Sequence, residues 1–528
     1  MTSFLLIGFW SNRIQAGKSA IKAMLVNRLG DLGLVLGICS VFLTFKTIDY
    51  LTVFALTPLG VNNFFSFFSF NIEKLTVITL LLFFGCVGKS AQIGLHVWLP
   101  DAMEGPTPVS ALIHAATLVT AGVFLLIRCS VLFENSPKTL LLISVLGALT
   151  CFFAATVGVV QNDLKRVIAY STCSQLGYMV FSVGFSYYST ALFHLANHAL
   201  FKALLFLSAG CIIHGLSDEQ DMRKMGGIVQ MFPASYASVL VGSLALVGFP
   251  FLSGFYSKDA ILEASLVNFN TSGNLAYYLG CSAVFCTSFY SFRLILLTFI
   301  NRTNSFKIYV EKAHEAPFKM LLPLAFLGFG SIFWGFFSRE MFLGFGSPLF
   351  GSNIFNLNKN FSLVEAEFLC VLFKNIALVF SFFGAFFSLL FINCFRSSKK
   401  AAFGYKMSRF YKLVYVFLLQ KWHFDQIMGE LVVVKTMNFG YKNSFQLFDK
   451  AFFEILGATR LGLNLLRFSR AFSFFQSGFI YHYSSVMVFY AISFITLLQY
   501  TLLFHSLNIF FCCCFFSYLT FGLNTLKN

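Results

Sequence analysis

The sequence predicts an all-α, polytopic membrane protein, and its composition and hydropathy support that prediction. Of the 528 residues, 58% are hydrophobic and only 11% are charged, whereas a soluble domain carries roughly 25% charged residues. Apolar runs of about 20 residues, the length a helix needs to cross a bilayer, recur along nearly the whole chain. These observations exclude a soluble multidomain enzyme, a disordered chain and a secreted protein built on disulfides.

Eleven apolar runs are long enough to span a membrane. They are predicted at 21–45, 75–98, 106–133, 139–160, 164–185, 190–213, 235–266, 275–300, 317–337, 370–395 and 479–504. The stretch 507–521 is either one more span or a continuation of the last. Basic residues gather in alternate loops, as the positive-inside rule expects, so the net charge of +16 indicates orientation in a membrane and not nucleic-acid binding.

Two of these spans are expected to be interrupted. Gly105-Pro106-Thr107-Pro108 follows one helix, and Gly248-Phe249-Pro250 with Gly254 divides another. Broken backbone at membrane depth is tolerated only inside protein or beside a wet cavity. One break alone would fit ordinary proline-kinked packing, but a pair in the two halves of a chain is typical of inverted-repeat transporters.

Two ionisable residues flank the first break. Lys89 lies deep in its predicted helix, where a charge is expensive and usually functional, so we expect it to carry protons; a lysine that only reaches to the surface is the alternative. His114 follows the break, with Ser110 and Thr117 as supporting polar residues. It is either a relay or a histidine satisfied within the core.

A row of three ionisable residues is the strongest pattern in the chain. His194, His198 and Lys202 are spaced i, i+4, i+8, which places them on one helix face over roughly 12 Å. With Ser208 further along, the row could hold a file of water and pass protons through coupled titration. A zinc site is the rival interpretation, but no carboxylate or thiolate lies nearby in sequence.

Lys258 and Asp259 follow the second break. Their place beside Gly254 favours a gate or exit for protons, while mutual charge cancellation is the structural alternative.

Other charges have simpler expected roles. Arg28 and Asp31 are spaced i, i+3 in an apolar helix and are predicted to pair. Asp163, Lys165 and Arg166 stand at a helix start, where we expect them to be solvated.

The stretch 432–475 mixes basic and acidic residues with apolar ones at helical intervals. This pattern predicts a long amphipathic helix along the membrane surface, and a simple lipid anchor is the alternative. The 13 cysteines show no metal-ligand spacing. There is no phosphate-binding loop or catalytic triad, so redox chemistry is expected on other polypeptides.

Several motifs together resemble those of the subunit 5 family of mitochondrial NADH dehydrogenase, the antiporter-like subunits of respiratory complex I. They lie at 88–92, 98–114, 162–178, 194–207 and 248–259, with weaker matches at 314–315, 365–368 and 476–483. The resemblance covers nearly the whole chain.

The resemblance implies an antiporter-like, inverted-repeat pump subunit with a hydrophilic axis at mid-membrane. The family's proton-translocating positions fall on Lys89, His114, His198, Lys202, Lys258, Asp259 and Asp31. The implied segments are a partial first repeat (1–133), a second repeat (134–300), additional helices (301–423), a lateral helix (424–478) and a C-terminal anchor (479–528).

The implied setting is the mitochondrial inner membrane. No cofactor or metal is expected on this chain; FMN, iron–sulfur clusters and ubiquinone belong to other subunits, and bound phospholipids are expected. The expected partners are other complex I subunits, above all neighbouring antiporter-like subunits along the lateral helix, and no nucleic acid. The alternatives are a subunit of a multisubunit cation/proton antiporter and a non-conducting architectural subunit.

The beginning of the sequence departs from the family. Family members have several more helices before this point, one of which carries a glutamate that pairs with the first-half lysine. We therefore expect either a split subunit, whose front portion is a separate polypeptide that supplies this glutamate, or a truncated start.

Overall fold

A computed structural model gives the architecture of most of the chain. It describes residues 2–60, 64–67, 70–268, 270–344, 349–350, 353–355, 362–397, 409–454, 457–474 and 476–500. The chain divides into two compact units, Met1–Asp425 and Gln426–Asn528. The possible span at 507–521 lies outside the described residues.

The first unit is built almost entirely from helices. Its first half contains α1 (Thr2–Ile7), α2 (Ile14–Phe45), α3 (Tyr50–Gly60), α4 (Lys74–Lys89), α5 (Trp98–Asp101), α6 (Thr107–Ser110), α7 (Leu118–Arg128) and α8 (Ser130–Glu134). Its second half contains α9 (Pro137–Val160), α10 (Leu164–Gly184), α11 (Tyr188–Gly215), α12 (Pro233–Val247), α13 (Ser253–Val267), α14 (Thr271–Ile295), α15 (Lys307–Glu311), α16 (Phe318–Leu343), α17 (Ser362–Glu367), α18 (Val371–Ser397), α19 (Arg409–Leu419) and the start of α20 (Phe424–Ile427).

Eight helices of the described chain are long and apolar enough to cross a membrane, which confirms the polytopic α-helical class. Three of the eleven predicted spans differ from this set for visible reasons. The span predicted at 75–98 is helical only to Lys89, the span at 164–185 is helical but rich in polar residues, and the span at 235–266 is broken into α12 and α13. The sequence analysis also missed the short helix α3 and an antiparallel hairpin, β1 (Phe64–Phe67) with β2 (Phe70–Glu73).

Both predicted breaks are present. Between Lys89 and Leu118 the chain forms only short helical pieces: α5, a 3₁₀ turn at Ala102–Glu104, α6 and a π-helical turn at Ala111–Ala116. The second break follows Gly248, which adopts a left-handed conformation with φ of 88°. At Gly254 a Cβ would overlap the carbonyl oxygen of Ala245, so only glycine lets α13 begin against the end of α12.

Large apolar side chains cover the outer helices, as expected for a surface that faces lipid. Phe326 on α16 is 73% exposed, and many similar residues surround it. The buried interior of the first unit includes small residues, serines and the ionisable side chains described below. In a bilayer such close, polar contacts replace the hydrophobic effect as the source of helix association.

The second unit is also helical where it is described. Helical turns run from Met428 to Phe453, partly in π-helical form, and include α21 (Val434–Asn438). They are followed by α22 (Ala458–Phe474) and α23 (Ile480–Tyr500). Arg460, Arg467 and Arg470 lie seven and three residues apart on α22, which places them on one face. The predicted amphipathic region is therefore largely helical where it is described, while the proposed segment boundaries stay a prediction.

Candidate functional site

Lys89 pairs with an acid from a neighbouring helix of the same chain. Its Nζ lies 2.9 Å from Oδ1 of Asp31, and Arg28 lies 3.8 Å from the other oxygen of that carboxylate. The predicted Arg28–Asp31 pair is thus present, but Lys89 makes the shorter contact. Lys89 is also the last residue of α4, so it stands where the first break begins.

Two glycines allow this pairing. A Cβ on Gly30 would lie 3.0 Å from the Cα of Gly88, and a Cβ on Gly88 would lie 2.9 Å from the Cα of Gly30. Backbones that lack side chains at a crossing can approach closely, as in other membrane helix pairs. Because Asp31 and Lys89 are the next residues on each helix, the close approach brings their side chains together.

His114 lies on the π-helical turn Ala111–Ala116. Such turns are often found at functional sites. The side chain is 1% exposed, and neither ring nitrogen has a protein hydrogen-bond partner in the described chain. Ser110 is buried beside this turn, whereas Thr117 is exposed and donates a hydrogen bond to the carbonyl of Leu112. Thr117 therefore caps the turn and is not brought to the buried side chains.

Trp98 connects the surroundings of these two residues. Its Nε1 donates to the carbonyl of Gly88, at 3.1 Å, next to Lys89. Its ring centroid lies 5.8 Å from that of His114. The short helix α5, which Trp98 begins, therefore sets the relative position of the two first-half residues.

The row on α11 is entirely buried. His194 is 1% exposed, while His198 and Lys202 are 0% exposed. Nζ of Lys202 donates to Oγ of Ser171 on α10, at 2.5 Å, and no carboxylate of the described chain lies within 4.0 Å of it. An uncompensated amine at such a position is costly in a membrane and marks a functional site.

The two histidines differ in their contacts. Nδ1 of His194 lies 2.9 Å from Oγ of Ser257, and Nε2 lies 3.0 Å from Oε1 of Gln175. Neither ring nitrogen of His198 has a protein partner in the described chain. The two rings are 6.3 Å apart. Since Ser257 belongs to α13, His194 links the row directly to the second break.

Lys258 directly follows Ser257 in sequence and is 1% exposed. Its Nζ donates to the carbonyl of Val247 and to Oγ1 of Thr287, each at 3.2 Å. It also lies 5.5 Å from the ring centroid of Tyr178. No ion pair within 4.0 Å joins it to Asp259 among the described residues, and the choice between a proton exit and mutual charge cancellation stays a prediction.

Two further residues can now be placed. Ser208 is buried, but its hydroxyl donates to the carbonyl of Leu205 in its own helix. Lys165 was expected to be solvated and is instead 5% exposed. Its Nζ donates to the carbonyl of Gly105 at 3.2 Å, because the first break leaves that carbonyl without a helical partner. Asp163 and Arg166 form an ordinary i, i+3 pair near the surface.

Several contact residues were missed at the level of sequence. On α10, Ser171 is hydrogen-bonded to Lys202 and Gln175 to His194. Ser257 is also hydrogen-bonded to His194, and Thr287 to Lys258. Ser171 and Gln175 are four residues apart and share a helix face. That polar stripe in an apolar span is the signal that could have identified them.

Together these side chains form two buried groups. The first contains Asp31, Lys89 and His114 around the first break, and the second contains Lys202, His198 and His194 and continues to Lys258. The π-helical turn that carries His114 packs against α11, the helix that carries the second group. Within the described residues, no three His, Cys, Asp or Glu side chains are arranged to hold a metal ion. The arrangement is suited to moving protons between basic groups.

Two family models match the chain. Residues 1–286 match "NADH:quinone oxidoreductase/Mrp antiporter, TM", and residues 290–499 match "NADH dehydrogenase subunit 5 C-terminus". Similar proteins include NADH-ubiquinone oxidoreductase chain 5 of Marchantia polymorpha, 52% identical over 92% of this chain and 73% of the relative. The protein of the same name from Chondrus crispus is 49% identical over 98% of this chain and 78% of the relative.

A solved structure, of the Mrp complex from a Dietzia species, contains a chain with the same fold. The TM-score is 0.55 at 22% identity, and the match covers 94% of this chain. This chain spans about half (48%) of the length of that one.

Proposed function

The chain belongs to the NADH-ubiquinone oxidoreductase chain 5 family of antiporter-like membrane proteins, and we propose that it moves protons along its two buried groups of basic residues. The family models and relatives confirm the resemblance read from the motifs. The chain is a proton-translocating membrane-arm subunit of complex I, a multi-pass membrane protein that works beside other subunits of that complex. Our proposal concerns the residues that carry the protons.

One observation carries the proposal: Lys202 is wholly buried, lacks a counter-ion in the described chain, and begins a row that reaches the second break. A lysine amine and imidazoles at successive turns can exchange protons when each step changes the electrostatics of the next. Serine hydroxyls and Gln175 orient these groups, and the unpartnered nitrogens of His114 and His198 can bond to water. Buried water bridges polar groups of this kind.

The proposed route begins at Lys89, whose charge Asp31 stabilises. It passes by His114 to Lys202 and His198, then by His194 and Ser257 to Lys258 and Asp259. Quinone reduction elsewhere in the complex would change the charge state of the first group and so drive transfer to the second. Direct hydrogen bonds support the part of this route from His194 to Ser257.

Partners and cofactors follow from the same proposal. We place the chain in the mitochondrial inner membrane, with FMN, iron–sulfur clusters and ubiquinone on other subunits. The helical region between Phe424 and Phe474 would lie beside neighbouring antiporter-like subunits, and phospholipids would cover the exposed apolar helices.

Replacement of Lys202 tests the proposal. In the purified complex, reconstituted into vesicles, Lys202→Ala should abolish proton pumping, whereas Lys307→Ala should not, because the Lys307 side chain is 89% exposed. Retained pumping in Lys202→Ala would contradict the proposal and favour an architectural role. Sodium transport without flavin- and iron–sulfur-bearing partners in the purified assembly would instead favour a cation/proton antiporter.

A further inference from the structure

Four charged side chains from three distant parts of the chain form a closed ring of alternating sign. Nζ of Lys22 on α2 lies 2.5 Å from Asp101 and 3.1 Å from Asp425. Nζ of Lys421 lies 3.5 Å from Asp101 and 2.8 Å from Asp425. Each charge therefore contacts two of opposite sign. None of these four residues was predicted to be a functional residue.

The backbone at Lys421 is unusual. Lys421, Trp422 and His423 have successive φ values of 57°, 56° and 55°. This left-handed region is disfavoured for residues with a Cβ and persists where the surroundings determine the conformation, often at functional sites. The turn brings Asp425 back to Lys421, so that both face the ring.

Aromatic packing fixes this turn on the rest of the first unit. The indole of Trp422 lies edge-on to Phe153 of α9, with ring centroids 5.2 Å apart, and is stacked with Phe417 at 5.5 Å. Phe424 also contacts Phe153, at 5.3 Å. Residues 421–425 are therefore a packed part of this unit and not a free loop.

The ring of charges contacts α5, the short helix that lies within the first break. Asp101 is the last residue of α5, whose first residue is Trp98. Trp98 contacts the carbonyl of Gly88, next to Lys89, and also contacts the imidazole of His114. A restraint on Asp101 is thus a restraint on the geometry between Lys89 and His114.

The solvent exposure of the four charged side chains favours a role in positioning α5 over a role in stabilising the fold. The four side chains are between 16% and 37% exposed. Taken one pair at a time, partly exposed ion pairs contribute little to stability, because solvent screens them. Their geometry is nonetheless defined by several simultaneous contacts, which is what orients a short helix.

We infer that the ring of Lys22, Asp101, Lys421 and Asp425 positions α5, so that residues 421–425 help to set the transfer step between Lys89 and His114. This inference rests on the proposed function. In this inference Asp101 and Lys421, which are more than 300 positions apart in sequence, are positioning residues. Neither takes part in the transfer between Lys89 and His114 itself.

The test compares Lys421→Met with Lys421→Arg in the purified, reconstituted complex. Lys421→Met should lower the number of protons pumped per NADH oxidised at least about three-fold, and Lys421→Arg should restore it because it keeps the charge. Trp98→Phe, which removes only the N–H donor, should have a similar effect, and the double variant should be no worse than either single one, since both act through the position of α5.

Lys138→Met is the matched control, because Lys138 forms a 3.0 Å pair with Glu73 but is 75% exposed. Pumping by Lys421→Met at the level of this control would overturn the inference, as would a defect that Lys421→Arg does not restore. If Lys421→Met does not assemble, Asp425→Asn takes its place, with Asp425→Glu as its conservative partner and the same two outcomes.

Lys202→Ala distinguishes this inference from the proposed function. If Lys202→Ala abolishes pumping while the ring variants pump normally, only the ring inference fails. If Lys202→Ala pumps normally, the proposed function fails.

Discussion

The carboxylate of Asp31 lies 2.9 Å from the ammonium of Lys89, and this pair is formed within the chain. Asp31 thus gives Lys89 a counter-charge from within the described chain, and the glutamate expected from a preceding helix stays a prediction. The first break starts at this pair, so Asp31 controls the charge with which the proposed route begins.

Asp31→Asn should lower proton pumping by about ten-fold to a hundred-fold. A hydrogen bond to a charged group contributes about 1.5–3 kcal/mol, and about 1.4 kcal/mol corresponds to a ten-fold change in rate. The measurement is the initial rate of vesicle acidification at a fixed rate of NADH oxidation. Glu73→Gln is the control, because Glu73 pairs with the exposed Lys138; equal rates in the two variants would contradict a role for Asp31.

Gly30→Ala should have a similar effect without removing any charge. The added methyl group would press on Gly88 and separate α2 from α4, and overpacking of this kind costs about 1–3 kcal/mol. The Asp31–Lys89 distance would increase as a result.

Gly17→Ala is the matched control for that change, since Gly17 lies on the same helix with open space around the position of its Cβ. We expect Gly17→Ala to pump normally and Gly30→Ala to lose pumping and thermal stability together. A Gly30→Ala complex with unchanged pumping would show that the close crossing of α2 and α4 is not required.

The sequence predicted the helical membrane class, both breaks and the row on α11, because these depend on local signals. Apolar length, Gly-Pro clusters and i, i+4 spacing are each contained in one short stretch. Lys202 is buried beside His198 as that spacing predicts. The spacing could not predict the hydrogen bond from the Lys202 amine to Ser171, because that contact depends on how α10 packs against α11.

The partner of Lys89 and the burial of Lys165 could not be predicted for the same reason. Asp31 meets Lys89 across a crossing of two helices, and its spacing to Arg28 suggested a simpler local pair. Lys165 is at a helix start, a position that is usually solvated, yet it fills the gap in backbone hydrogen bonding that the first break leaves at Gly105. Tertiary packing decided both outcomes.

Ser171→Ala should reduce pumping without abolishing it. It removes the protein hydrogen bond made by the Lys202 amine but leaves the amine in place, so we expect a decrease of about two-fold to ten-fold, from the roughly 0.5–1.5 kcal/mol that one hydrogen bond contributes. Ser182→Ala is the control, because Ser182 is buried on the same helix and its hydroxyl donates to the carbonyl of Met179 within that helix. Equal pumping in the two variants would exclude Ser171 from the route.

The ring at Asp425 should be insensitive to pH in the physiological range. Burial alone would raise the pKa of Asp425, but Lys421 and Lys22 hold that pKa below its ordinary value. A group with a lowered pKa in the folded chain contributes stability above its unfolded pKa and loses it as the pH falls through the folded value. The contribution is therefore complete above roughly pH 5, given an ordinary aspartate pKa near 3.9.

The corresponding measurement is the difference in thermal inactivation temperature between the unmodified complex and Asp425→Asn, taken from about pH 5.5 to pH 8. We expect the difference to be small, since a pair this exposed contributes less than about 1 kcal/mol, and constant over that range. A difference that disappears between pH 7 and pH 6 would mean that Asp425 takes up a proton there. That result would require a raised pKa and would contradict the arrangement of charges around it, because a neutral Asp425 could not close the ring with Lys22 and Lys421.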